Sequence, residues 1–181
     1  ANELALRLAF NFSEQKDVIV LEEAYHGNTI ANIDISPYKH NGPGGKGPPE
    51  WVHEIPMPDI YRGIYRDPKT AGKLYSDKVH LICEKLSKLG RKPAAFISES
   101  ILGCGGHVPL PDEFLKKSYR HIRKHGGLCI ADEIQVGFGR TGKHMWAFEL
   151  QGVVPDIVTL GKPMGNGHPL GAVITTREIA E

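Results

Sequence analysis

Apolar residues fall along this chain in short unbroken runs, separated by stretches in which they recur every three or four positions. The runs are Asp17-Val18-Ile19-Val20-Leu21, Ala94-Ala95-Phe96-Ile97-Ser98, Gly127-Leu128-Cys129-Ile130-Ala131 and Pro155-Asp156-Ile157-Val158-Thr159-Leu160-Gly161. Continuous apolarity means burial on both faces, as in the central strands of a parallel sheet. Helical spacing predicts helices over residues 1–10, about 70–89, with Val79, Ile82, Leu86 and Leu89 on one face, and about 112–125 behind Pro111-Asp112. Strands alternating with helices predict an α/β fold, a mainly parallel sheet with helices on both faces, doubly wound through right-handed crossovers. Gly171–Thr176 is a further strand candidate. Between about 34 and 69 the pattern fails around Asn41-Gly42-Pro43-Gly44-Gly45-Lys46-Gly47-Pro48-Pro49, which predicts a long loop. Its glycines could cradle phosphate, but its prolines remove backbone donors and no strand closely precedes it, so a plain loop is the stronger reading.

In an open parallel sheet, ligands bind outside the carboxyl ends of the strands. Four predicted strand ends carry chemistry. The first leads to Tyr25-His26-Gly27, the second to Glu99, the third to Asp132 and the fourth to Lys162. Singly, each reads as a solvated strand terminus. Together they suit pyridoxal phosphate, whose aldehyde needs a lysine for a Schiff base and whose ring nitrogen needs an acidic partner. An aromatic side chain could stack on its ring.

Composition narrows the classes without choosing among them. A formal net charge of +1 with interspersed acids and bases gives no stripe for nucleic acid and no patch for an anionic membrane. The three cysteines, Cys83, Cys104 and Cys129, are odd in number and two lie in apolar segments, which points to reduced thiols in an intracellular protein. No apolar stretch is long enough to span a bilayer, and residues 1–9 read as an amphipathic helix rather than a signal sequence. The chain is therefore expected to be the interior of a longer gene product.

Four other constellations are weaker. Gly137-Phe138-Gly139-Arg140-Thr141-Gly142 fits the dinucleotide pattern G-x-G-x-x-G, but Asp132–Val136 separate it from the apolar run, and extending the strand would bury two acids. Gly137 to His144 nearly spells a phosphate loop, yet places His144 where a magnesium-binding hydroxyl is needed. Nine histidines offer no metal-binding spacing; His121 and His125, four apart on a helix, read as a solvated face. Ser98 and Ser100 lack the glycines of a nucleophile elbow.

Three segments carry a family resemblance: Tyr25-His26-Gly27, Ile130 through Gly142, and Pro155 through Lys162. Along its whole length the chain resembles the class-III pyridoxal-phosphate aminotransferases of fold type I. The resemblance implies that Lys162 forms the Schiff base and Asp132 pairs with the ring nitrogen. It implies that Tyr25 stacks on one ring face, Ile134 packs the other, and Gln135 approaches the ring hydroxyl. His26 and Glu99 join the cofactor-binding set. Ala1-Asn2 resembles the tail of the family's phosphate loop. The resemblance further implies that residues 1–181 are the central part of the large cofactor-binding domain, with an N-terminal segment and a C-terminal small domain outside it. It implies a homodimer or higher homo-oligomer in the mitochondrial matrix or cytosol.

Two departures redirect the expected reaction. Where transaminases of this class commonly read E-P-[IV]-x-G-E-G-G, this chain reads Glu99-Ser100-Ile101-Leu102-Gly103-Cys104-Gly105-Gly106. In the family the second glutamate resembles a gate that neutralises an arginine. A thiol in its place would leave that arginine as an anion site, suited to a substrate phosphate. This pattern, with Tyr61-Arg62-Gly63-Ile64-Tyr65-Arg66 and Gly161-Lys162-Pro163-Met164-Gly165-Asn166-Gly167-His168-Pro169, resembles the branch that eliminates phosphate and ammonia from phosphorylated amines. Pro163-Met164 favours ethanolamine phosphate over phosphohydroxylysine. The expected substrate is a small phosphorylated amine or amino acid, with transamination to a 2-oxo acid as the alternative. A third reading is a segment with no activity of its own.

Overall fold

The computed structural model describes residues 1–181. In chain order its helices are α1 (Asn2–Ser13), α2 (Ile30–Asp34), α3 (Pro37–His40), α4 (Ala71–Lys88), α5 (Phe114–Lys124) and α6 (Arg177–Ala180). Its strands are β1 (Asp17–Leu21), β2 (Val52–Ile55), β3 (Pro93–Glu99), β4 (Ile101–Leu102), β5 (Val108–Pro109), β6 (Leu128–Asp132), β7 (Ile157–Leu160) and β8 (Ala172–Thr175). Six strands form one sheet in the order β2-β1-β3-β6-β7-β8, and β4 pairs with β5 in a separate hairpin.

All pairings in the large sheet are parallel except β7 with β8. The expected mainly parallel sheet is therefore present, with helices on both faces. Side chains alternate across each strand. Val18, Val20, Ala95, Ile97 and Ile130 face Ala5, Leu6 and Ala9 of α1. Ile19, Leu21, Phe96 and Cys129 face Tyr75 and Val79 of α4 and Phe114 and Tyr119 of α5. This double burial explains why the central strands are unbroken apolar runs, each large side chain contributing about 1.5–3 kcal/mol.

Helices α4 and α5 end alike. Arg91 N–H reaches back to Leu86 O while Gly90 N–H bonds Ser87 O, and Gly127 N–H reaches Ile122 O while Gly126 N–H bonds Arg123 O. Gly90 and Gly126 take φ of 71° and 82°, the left-handed conformation that closes such a helix end without a Cβ penalty. Each turn delivers the chain into a central strand, β3 or β6.

One expectation needs correction. The segment between 34 and 69 is not one long loop, since it contains α3 and the edge strand β2. Only Val52 and Ile55 of β2 are buried, so its four residues show neither alternation nor an apolar run. Its polar positions are held sideways, His53 by Asp17 and Glu54 by His40. The last strand runs antiparallel, because no crossover helix separates β7 from β8.

Chain order reverses between β1 and β3: β2 lies on one side of β1, and β3, β6 and β7 follow on the other. Such a reversal opens a crevice at the carboxyl ends of the strands.

Candidate active site

Asp132 is the last residue of β6, in register with Glu99 of β3 and Thr159 of β7, and only 4% exposed. Its Oδ2 accepts from Asn2 Nδ2 at 2.7 Å and lies 2.8 Å from His26 Nδ1. Its Oδ1 accepts from the Ile134 amide at 3.1 Å. Asn2 Nδ2 also donates to His26 O at 2.7 Å, which ties the start of α1 to the Tyr25-His26 turn. With His26 Nδ1 donating, its buried Nε2 keeps no partner. No lysine or arginine pairs with this carboxylate. A buried carboxylate without a cation is complemented by a ligand N–H carrying positive charge, and a protonated pyridine nitrogen is such a group.

Lys162 follows Gly161 at the end of β7 and opens a 3₁₀ turn, Lys162–Gly165. Its φ is 38°, a left-handed conformation in a residue with a side chain, and such strain gathers at functional sites. Nζ donates to Gln135 Oε1 at 2.6 Å. A Cβ added to Gly161 would sit 3.1 Å from Ile134 Cγ2, and one added to Gly103 would sit 2.6 Å from Gln135 Nε2. Glycine at these two positions lets Ile134 and Gln135 lie against their neighbours.

Tyr25 is half-buried, its amide donating to Glu99 Oε1 at 3.0 Å and its ring edge-on to Tyr38 at 5.9 Å. Glu99 Oε2 accepts the Gly103 amide at 2.8 Å. Glu99 therefore braces the Tyr25 turn and the Gly103 turn through their backbones, and burial pushes its carboxyl up from the usual range. Contacts run from Lys162 through Gln135, Gly103 and Glu99 to Tyr25. They run from His26 through Asp132 to Ile134 and Gly161. All seven residues expected from the sequence thus meet at one edge of the sheet.

Two participants escape the sequence reading. Asn2, expected as the tail of a phosphate loop, also holds Asp132. Glu133 is fully buried and takes Ser100 Oγ at 2.5 Å, the Phe148 amide at 3.0 Å and the Ala147 amide at 2.8 Å. Burial pushes its carboxyl up as well. The Asp-Glu pair was the available signal: burial of two acids was counted against a longer strand, yet both are buried although β6 stops at the first.

Cys104 sits exposed in the turn between β4 and β5. Burial of its sulfur and the Glu99 carboxylate push the thiol up, opposed by Lys162 and Lys39. It is a neutral thiol near pH 7. The Gly137–Gly142 stretch is a turn closed by Gly139 N–H on Met145 O, with no α-helix N-terminus behind it to meet a pyrophosphate. No three His, Cys, Asp or Glu residues are grouped to hold a metal. His121 does not face solvent freely as expected: its ring stacks on His80 of α4 at 4.8 Å, because α4 packs along α5.

A buried acid ends β6 and a lysine follows the neighbouring parallel strand β7, an arrangement shared with one family of known proteins. The class-III aminotransferase family model matches residues 1–181, and the chain belongs to that family. It is 51% identical over 185 residues to an alanine–glyoxylate aminotransferase 2-like protein of Drosophila melanogaster, covering 100% of this chain and 37% of that one. It is 45% identical over 193 residues to ethanolamine-phosphate phospho-lyase homolog 1 of Caenorhabditis elegans, covering 100% of this chain and 41% of that one. An Arthrobacter phospholyase in complex with phosphoethanolamine superposes with a TM-score of 0.88 at 35% identity, over 99% of this chain and 42% of that one. An amine transaminase from an uncultivated Pseudomonas species, in its PLP-bound form, gives 0.86 at 29%, over 98% and 41%. The chain thus spans about two fifths of the relatives it matches.

Proposed function

We propose that this chain is the central part of the large domain of a pyridoxal-phosphate enzyme. We propose further that the enzyme eliminates phosphate and ammonia from a small phosphorylated amine, ethanolamine phosphate above all. Cys104 carries the reading. A neutral thiol stands where transaminases of this class resemble one another in having a carboxylate, and it cannot neutralise a neighbouring cation. Such a cation stays available to a substrate phosphate. The likeness to two proteins named as phospho-lyases supports the same reading.

When bound, pyridoxal phosphate supplies a carbonyl for covalent attachment of an amine and a conjugated ring that takes up an electron pair. Lys162 would hold it through Nζ, Tyr25 and Ile134 would flank its ring, and Gln135 would meet its hydroxyl. Asp132, fixed by Asn2 and His26, would face the ring nitrogen. Lys162 Nζ, when not holding the cofactor, would be the base that takes the proton from the carbon bearing the substrate amine. Phosphate leaves from the next carbon, and one water completes the products acetaldehyde and ammonia. Assembly as a homodimer or higher homo-oligomer and a mitochondrial or cytosolic compartment belong to the same proposal. No helix is long and apolar enough to cross a membrane.

Transamination is the second reading, favoured by the name of the 51% identical relative. It uses the same lysine and acid. The full-length protein, given phosphoethanolamine and no 2-oxo acid, should release phosphate and ammonia in equal amounts. Release of neither, until glyoxylate or pyruvate is added with an amine donor, would replace the lyase reading with a transaminase. The isolated segment is expected to be inactive, since it holds only part of the domain.

A further inference from the structure

A cleft of about 750 Å³ opens beside the site, between α2, α3 and the glycine-rich turn after α3. It shares two walls with the site. Tyr38 lines it and packs edge-on against Tyr25. Glu23 lines it too, and a Cβ added to Gly105, next to Cys104, would lie 3.3 Å from Glu23 Cβ. The cleft and the Cys104 turn therefore adjoin.

The turn is built tightly. Gly42 and Gly47 donate to Lys39 O and His40 O, and a Cβ on Gly45 would fall 2.0 Å from His40 O. His40 is buried, with Nε2 on Glu54 Oε1 at 2.8 Å and Nδ1 unpartnered. This anchoring fixes the end of α3, and with it Lys39. The ammonium of Lys39 makes no ion pair with Glu23 or Asp34, the carboxylates of the same cleft. Lys39 follows Tyr38, which packs on Tyr25, and with Lys162 it opposes the upward push on the Cys104 thiol.

A carboxylate at position 104 would be drawn to Lys39 and would neutralise it; a thiol does not. We propose that Lys39 is a specificity-determining residue whose ammonium, at the rim shared by this cleft and the Cys104 turn, binds the phosphate group of the substrate. The inference rests on the phospho-lyase reading for its ligand. Its anion site stands on the cleft alone. Lysine suits this task as a compact charge on a flexible stem, able to follow the phosphate as it leaves.

The test uses the full-length holoenzyme, in which the cofactor fills its own phosphate site. Inorganic phosphate is titrated calorimetrically into wild type, Lys39→Gln, Lys39→Arg and, as a distant charge-matched control, Lys88→Gln. Lys39→Gln is expected to raise the phosphate Kd about ten-fold, or ~1.4 kcal/mol. Lys39→Arg and Lys88→Gln should stay near wild type. Lys39→Gln should also raise KM for phosphoethanolamine by a similar factor while kcat moves far less. An unchanged phosphate Kd in Lys39→Gln overturns the inference, even if phosphoethanolamine is cleaved. If wild type cleaves no phosphoethanolamine but Lys39→Gln still weakens phosphate binding, the lyase reading falls and the anion site stands.

Discussion

A carboxylate held by three donors and no cation, as Asp132 is, keeps its place only while each donor remains. Asp132→Asn in the full-length protein should lower turnover at least about a hundred-fold, measured as phosphate release, since its charge is lost while its shape is kept. His26→Ala should weaken cofactor binding through Asp132, visible as a higher pyridoxal phosphate concentration at half-saturation. Cys104→Glu should raise KM for phosphoethanolamine, because the new carboxylate competes for the cation the substrate needs. Lys162 offers a stability test. Its left-handed backbone costs about 1–2 kcal/mol, so Lys162→Gly should melt a few degrees above Lys162→Ala while both lose activity. Lys162 and Asp132 were legible in the sequence because each directly follows a clean apolar run. The bond from Asn2 to Asp132 was not, since it joins residues 130 apart and shows itself only when α1 docks beside β6.

Helices α1, α4 and α5 and the central strands announced themselves because both faces of the sheet are covered, which gives the strands unbroken apolar runs and the helices an apolar stripe. The strand β2 did not, because an edge strand of two buried residues borrows its order from β1 and from side-chain bonds to Asp17 and His40. Glycines divide the same way. Gly126 closes α5 at φ 82° with nothing within 4 Å, so Gly126→Ala should cost about 1–2 kcal/mol from backbone strain alone. Gly72 in α4 lies where a Cβ would meet Asp112 O at 1.8 Å, in the approach to α5. Gly72→Ala must push the helix from that segment and should cost clearly more. Urea denaturation of the two variants, side by side, separates strain from collision.

Across the whole molecule, α4 and α5 meet through imidazoles, with His80, His121 and His125 in one cluster and Glu84, Asp77 and Arg120 around it. Burial, then His80, lowers the His121 pKa below 6.5, while Asp77 opposes them. The unfolded chain thus takes up this proton first as pH falls. The contribution to stability is whole above about pH 6.5 and declines below it, so the denaturation midpoint should drop between pH 7 and 5.5, and drop less in His121→Gln. The hairpin of β4 and β5 has a consequence at the same scale. Lys162, Asp132 and Glu99 are rooted in the six-stranded sheet, whereas Cys104 hangs on a two-stranded appendage whose sequence can drift while the sheet keeps its register. On the proposed reading of Cys104, a lineage carrying this frame would move between eliminating phosphate and passing on an amino group by rewriting a single turn.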